Sequence, residues 1–405
     1  MRILYIHQVF ATRDSSHPTR SYEFARRMVA CGHDVIMLTG NSRLGALHDA
    51  GGYRRLDIDG IDVRSVRNTY SNYMGYARRM LSFALFMFAS AVVAIRVPRP
   101  SIVFATSTPL TVGLPGWIAA KWHRVPFVFE VRDPWPLAAF EMGALSPTGL
   151  VGRMASWFER FIYKQADAIV ALSPGMVDCV LAAGADPAKV HMIPNCSDLD
   201  LFHPGDRDEA TQERFGLSGR FVVGYAGALG PANAPLTIVE AARILSERGR
   251  DDVVILLAGD GKMLPEVTRL VAELGLTNVR VAGSFPKHDM PAMLRTCDVL
   301  LAHFANVPVL FTCSPNKLFD ALATGRPIIV NSPGWTRPLV TDNDAGLFVE
   351  PEDAVALADA IETLADDPVT VVRMGRNART LAEREFSRDD QADRLIELLK
   401  ATADR

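Results

Sequence analysis

Short apolar runs alternate with helical stretches along this whole chain, and the alternation is played through twice. Residues 2–9 read as a buried strand, 11–19 as a polar loop, 20–31 as a helix and 34–39 as a second strand. That order opens a doubly wound α/β domain with a parallel sheet. Further strands at 101–105, 126–131, 168–172 and 191–193 continue it. The polar stretch 198–215, which holds Pro and Gly, then separates a second series: strands at 221–225, 253–258, 279–282, 298–304, 327–331 and 346–349. Helices at 353–364, 369–384 and 389–402 close the chain. With 405 residues, two domains can each bury a core of their own. The division predicted is 1–200, 201–388 and a C-terminal helical segment 389–405.

Charge separates the halves. Residues 1–200 hold 21 Lys and Arg against 16 Asp and Glu, whereas the remainder holds 22 against 30. A basic first half suggests an anionic partner there. Nucleic acid fits poorly, because no basic run, helix-turn-helix signature or zinc-finger spacing accompanies the charge. Five scattered cysteines without a CxxC pair read as reduced thiols and offer no metal site. The apolar run at 3–6 is too short for a signal peptide, so no export is predicted. Residues 80–95 contain no charge and number 16, fewer than the roughly 20 needed to cross a bilayer. Arg78 and Arg79 precede the run, and Arg96 and Arg99 follow it. Either a core helix or a helix lying against a membrane surface satisfies this pattern; both hold if one face packs inward.

Chemistry is expected first at 312–325. Ser314 suits an N-cap, Pro315 the first helical position and Gly325 the stop. An open helix start attracts anions, yet Lys317 sits in its first turn, where the macrodipole disfavours a cation. An arriving anion would neutralise both. Asn316, Lys317 and Asp320 share a face, so a diphosphate at the helix start with Asp320 one turn deeper is one reading; an ordinary capped helix with a solvated face is the other. Gly227 and Gly230 after the strand 221–225, Gly261 after 253–258, and Gly283, Ser284 and Phe285 after 279–282 would let a ligand approach the backbone. In the first half there is no GxGxxG. Arg13, His17 and Arg20 nevertheless stand near the carboxyl end of the first strand, where such sheets place ligands. Glu130, Arg132 and Asp133 end the strand 126–131, fixed by Pro134, Trp135 and Pro136. They read as a polar site or as an internal ion pair that merely holds the loop.

The segments HQVFATRDSSHPTRSYEFARRMVACGHDVIMLTG, FVFEVRDPWP, FERFIYKQADAIVALSPGM and IPNCSDLDLF in the first half, with YAGALG, LAGDGKM, NVRVAGSFPKHDM, SPNKLFDALATGRPII and AGLFVEPEDAVALADAI in the second, carry a resemblance over nearly the full length. The chain resembles the GT-B glycosyltransferases of family four, and within them the branch of bacterial L-fucosamine transferases (WbuB-like). The resemblance implies two facing Rossmann-like domains with parallel sheets and a C-terminal helix crossing back to the first domain. It implies transfer of a hexosyl group, amino and deoxy sugars included, with retention at the anomeric carbon and without metal or other cofactor. The donor implied is a nucleoside-diphosphate sugar, a UDP-sugar foremost. The acceptor is a glycan or a polyprenyl-diphosphate-linked saccharide in surface polysaccharide synthesis. Such an enzyme would be cytoplasmic, with peripheral contact to an anionic membrane.

By position, Asp320 would hold the ribose hydroxyls, Gly283, Ser284 and Phe285 would frame the base, and Ser314, Pro315, Asn316 and Lys317 with Gly227, Gly230 and Gly261 would surround the diphosphate. Lys317 would stabilise the leaving group with Arg132 as supporting cation, Glu130 or Asp133 acting on hydroxyls. Arg13, His17 and Arg20 would face the acceptor. Two departures stand out: Thr312 and Asp320 replace a pair of glutamates eight apart, and the 227–233 loop lacks the family's Arg and Lys. A GT-B epimerase or hydrolase and a catalytically weak scaffold subunit are the alternative readings.

Overall fold

Strand β1 (Arg2–Ile6) is buried from Ile3 onward on both faces, as a central strand of a covered parallel sheet must be. A computed structural model describes residues 1–43, 52–70 and 74–405. Among these, β1 is joined by β2 (Asp34–Gly40), β3 (Arg54–Ile58), β4 (Ile61–Val66), β5 (Ile102–Thr106), β6 (Phe127–Val131), β7 (Ala168–Ala171) and β8 (Val190–Met192). Their order is β3-β4-β2-β1-β5-β6-β7-β8. All neighbours are parallel except β3 and β4, an antiparallel hairpin at the edge.

The helices of this first unit are α1 (Arg20–Ala30), α2 (Tyr76–Ala94), α3 (Gly113–His123), α4 (Leu137–Glu141), α5 (Leu150–Gln165) and α6 (Pro174–Ala182). From β4 to β8 the chain steps one way across the sheet, so right-handed crossovers put α2, α3, α5 and α6 on one face. One core accordingly gathers Phe86, Ala119, Ile162 and Val180 over Leu4 and Ile6. The step from β1 to β2 runs the other way and sends α1 to the opposite face. The apolar helix begins at Tyr76, so Arg78 and Arg79 lie inside its first turns instead of ahead of it.

The second unit has β9 (Phe221–Ala226), β10 (Val253–Ala258), β11 (Val279–Gly283), β12 (Val299–Ala302), β13 (Ile328–Val330) and β14 (Gly346–Phe348), all parallel, in the order β11-β10-β9-β12-β13-β14. Its helices are α7 (Glu209–Phe215), α8 (Pro235–Glu247), α9 (Leu264–Glu273), α10 (Met290–Thr296), α11 (Asn316–Thr324), α12 (Thr336–Thr341), α13 (Ala354–Asp366) and α14 (Pro368–Glu385). Val223, Tyr225, Ile255, Leu257 and Leu301 form a core with α8 and α13.

The units part after Pro194, ahead of the polar stretch where the sequence placed the boundary. The last helix, α15 (Arg388–Ala403), belongs to the first unit from Asp389 onward. Arg27 of α1 donates from Nε to Asp389 at 2.5 Å, which ties α15 to α1.

Candidate functional site

In the second unit the strands β9, β10 and β12 end around Tyr225. This residue is fully buried, and its hydroxyl donates to the Ala228 carbonyl at 2.8 Å. Lys317, in the first turn of α11, reaches the same place. Its Nζ donates to the Tyr225 hydroxyl at 2.9 Å and to Asn233 Oδ1 at 2.8 Å. It also stands 4.3 Å from the Tyr225 ring centroid and 5.4 Å from that of Phe304, a cation–π setting. The loop that lacks a cation in its own sequence thus receives one from α11. Pro315 is the N-cap of α11 and no side chain caps it. Ser314 therefore does not take the capping role expected of it.

Glycines let the loops lie on one another. A Cβ at Gly259 would stand 1.8 Å from the Gly227 oxygen, and one at Gly261 would stand 2.4 Å from the Leu229 oxygen. Backbone bonds from Gly227 to Ala258 and from Leu229 to Asp260, both 2.9 Å, hold the contact. Gly261 is thus required by its own neighbours, ligand or not. Gly227 has a Cβ position 3.2 Å from Lys317 Cε, while Gly230 faces open space. Gly283 has φ +73°, a left-handed turn that turns the chain out of β11. Ser284 is exposed beyond it. The ring of Phe285 lies 6.3 Å from Phe215, with the Arg214 guanidinium over both.

His303 follows β12, buried, its Nδ1 3.1 Å from the Asn233 carbonyl. A carbonyl only accepts, so Nδ1 carries the proton. Burial lowers the imidazole to about 4, with the Lys317 charge acting in the same direction. His303 is therefore neutral at pH 7.

Asp320 is 7% exposed and already engaged. Oδ1 accepts from Ser197 Oγ at 2.8 Å, and Oδ2 forms an ion pair with Lys287 Nζ at 2.5 Å. Hydroxyls expected there must share Oδ2 with Lys287 or displace it.

The first unit carries a separate polar group at the ends of β1, β5 and β6. Arg132 Nη1 lies 3.3 Å from His7 Nε2, and His7 Nδ1 lies 2.7 Å from Ser21 Oγ. A guanidinium can only donate, so Nε2 accepts and Nδ1–H donates to Ser21. Burial first, and the Arg132 charge second, push the His7 pKa well below its ordinary value. Asp133 accepts from the Thr108 hydroxyl, and the Arg132 N–H donates to Ser107 Oγ at 2.9 Å.

Two expected site residues are structural. Glu130 is fully buried; Oε1 takes Arg20 Nη2 at 2.9 Å and Oε2 takes Thr106 Oγ1 at 2.6 Å. Arg20, 1% exposed, spends its other donors on the Ile193 and Pro194 carbonyls at 3.0 and 2.7 Å. Neither can meet a substrate without breaking a buried ion pair. Arg13 donates to both Glu23 oxygens at 2.5 and 3.0 Å. His17 is half-buried in the loop ahead of α1. His7, Tyr225, Asn233, His303 and Lys287 escaped the sequence reading. For His7 and His303 the signal was available: each directly follows the apolar run of its strand.

Residues 18–196 match the glycosyl transferase 4-like domain, and 206–381 match the glycosyl transferases group 1 domain. An alpha-D-kanosaminyltransferase of Streptomyces kanamyceticus is 28% identical over 69% of this chain and 71% of its own length. The UDP-Gal:alpha-D-GlcNAc-diphosphoundecaprenol alpha-1,3-galactosyltransferase of Escherichia coli is 26% identical over 71% and 72%. The structure of Anabaena HepE with UDP and glucose superposes with a TM-score of 0.74 at 18% identity, over 98% of this chain and 99% of that one.

Proposed function

Because the chain belongs to the glycosyltransferases, its two halves matching the 4-like and group 1 domains in turn, we propose that it moves a hexosyl group from a UDP-sugar to a glycan or lipid-linked acceptor in surface polysaccharide synthesis, with retention at the anomeric carbon. The observation that carries this reading is Lys317, whose ammonium is held at the end of β9 by Tyr225 and Asn233. Cleavage of the bond from the anomeric carbon to the β-phosphate oxygen leaves negative charge on the diphosphate. A fixed cation there lowers the barrier without reorganising. The acceptor oxygen bonds to the anomeric carbon from the same side, and its proton passes to the leaving phosphate. Neutral His303 keeps a second positive charge from competing for the place Lys317 holds.

The base lies beside Gly283, Ser284 and Phe285, the diphosphate at the start of α11 near Asn316. Arg132 and Asp133, supported by His7, meet acceptor hydroxyls in the first unit. No metal is required, since Lys317 and the helix start supply the positive charge. The enzyme works in the cytoplasm on acceptors such as a saccharide on polyprenyl diphosphate. The galactosyltransferase relative, named for a diphosphoundecaprenol acceptor, and HepE, bound to UDP, support this choice. The L-fucosamine transferase branch rests on the 132–136 and 315–317 segments alone.

A panel of nucleotide-sugars read by thermal shift identifies the donor. The donor is then incubated with and without a polyprenyl-diphosphate-linked acceptor. Product that forms only with acceptor supports transfer. Complete conversion of donor alone overturns it in favour of an epimerase or hydrolase, and no shift with any nucleotide-sugar indicates a scaffold.

A further inference from the structure

Helix α2 is long and apolar enough to cross a bilayer by composition, yet it is packed on the core of the sheet through Phe86 and Ala94. Its other side is apolar too. Leu81, Leu85 and Phe88 are 60%, 55% and 63% exposed, at the four- and three-residue spacing that lines one stripe. The helices beside it repeat the pattern. Trp122 of α3 is 66% exposed, and Met154 and Trp157 of α5 are each 60% exposed. Since α2, α3 and α5 cover the same face of the sheet, these side chains point away from the same core. A run of exposed apolar groups on neighbouring helices marks a surface that something covers.

Charge says what covers it. Neither α2 nor α3 contains an Asp or Glu, and Glu159 is the one carboxylate of α5. Arg78 in the first turn of α2 and Arg96 just past its end are exposed, Lys121 and Arg124 flank Trp122, and Arg153 adjoins Met154. Apolar groups ringed by cations, with tryptophans among them, match the boundary between headgroups and acyl chains of an anionic bilayer. A second copy of this chain suits the face less, because a two-fold contact uses the same patch on both sides and would bring two basic rims together.

We propose that the α2–α3–α5 face of the first unit docks on an anionic membrane surface, with α2 lying along the bilayer and its inward side kept in the protein core. The proposal extends the reading of a lipid-linked acceptor, which such docking would bring within reach, but its test uses neither donor nor acceptor.

The full chain is sedimented with vesicles of phosphatidylcholine alone and of phosphatidylcholine with an equal part of phosphatidylglycerol. Binding is expected only to the anionic vesicles and to weaken with salt. The double variant Leu85→Glu/Phe88→Glu, both positions exposed, should lower the partition by about tenfold or more, and Arg78→Glu/Arg153→Glu should lower it on anionic vesicles. Thermal midpoints and the thermal shift given by UDP should stay those of the parent, which separates loss of docking from loss of fold or of the donor site. Parent protein left in the supernatant, or variants that bind as well as the parent, would overturn the proposal. So would light scattering that finds a dimer split by Leu85→Glu/Phe88→Glu, since the face would then belong to a second copy.

Discussion

Lys317 Nζ donates to Asn233 Oδ1 at 2.8 Å, joining the first turn of α11 to the loop after β9. The cation missing from that loop is supplied across the site by a side chain from another segment. Lys317→Ala is expected to lower kcat by about tenfold or more, the effect of about 1.4 kcal/mol on the transition state. Asn233→Ala should lower kcat less, because Tyr225 still orients the ammonium, and KM should move less than kcat in both. Unchanged kcat in Lys317→Ala would remove the residue from the mechanism.

Arg20 and Glu130 were expected to meet substrate, and their burial moves them to a different role. Glu130→Ala leaves Arg20 charged and uncompensated among the ends of β1, β6 and β8. A loss of about 3–5 kcal/mol is expected in denaturant unfolding. The apolar pair Arg20→Met/Glu130→Leu should recover much of it, since it removes both charges together. A Glu130→Ala variant with parental stability and abolished transfer would restore the carboxylate to the chemistry.

The parallel-sheet architecture was legible because buried strands such as β10 are continuous apolar runs of 6 residues, too short for helices and closed by glycine or polar residues. The β3–β4 hairpin was not, because its exposed, charged strand RRLDI carries no such run. At the site, residue types told which side chains carry charge but not where that charge is spent. Lys317 stood out through its conflict with the helix dipole. Arg20 and Glu130, equally conspicuous, find each other over 110 residues of chain, a pairing that spacing cannot show. Asp320 was marked by its place on α11, but its partner Lys287 comes from a separate loop.

That partnership sets a third expectation. Lys287→Met leaves the Asp320 carboxylate buried with Ser197 as its remaining partner. Stability should fall, by up to about 3 kcal/mol at neutral pH. If a ribose displaces Lys287, saturating UDP should restore more stability to Lys287→Met than it adds to the parent, because the ligand's hydroxyls replace the lost donor. An equal UDP shift in both proteins would leave the Lys287–Asp320 pair purely structural.

Buried His303 and half-buried Glu159 titrate with opposite signs. His303, lowered from 6.5 to about 4 by burial, stays neutral in the folded chain while the unfolded chain binds a proton. Its contribution is full above pH 6.5 and is lost as the pH falls toward 4. Glu159 is raised from 4.5 to about 7, chiefly by burial. Its contribution is full below pH 4.5 and is lost as the pH rises through 7. Melting measured from pH 4 to 8 should therefore respond in opposite directions: Glu159→Gln should gain relative to the parent at the alkaline end, and His303→Gln should gain relative to it at the acid end. Parallel pH profiles for the parent and Glu159→Gln would show that Glu159 ionises as an ordinary surface carboxylate.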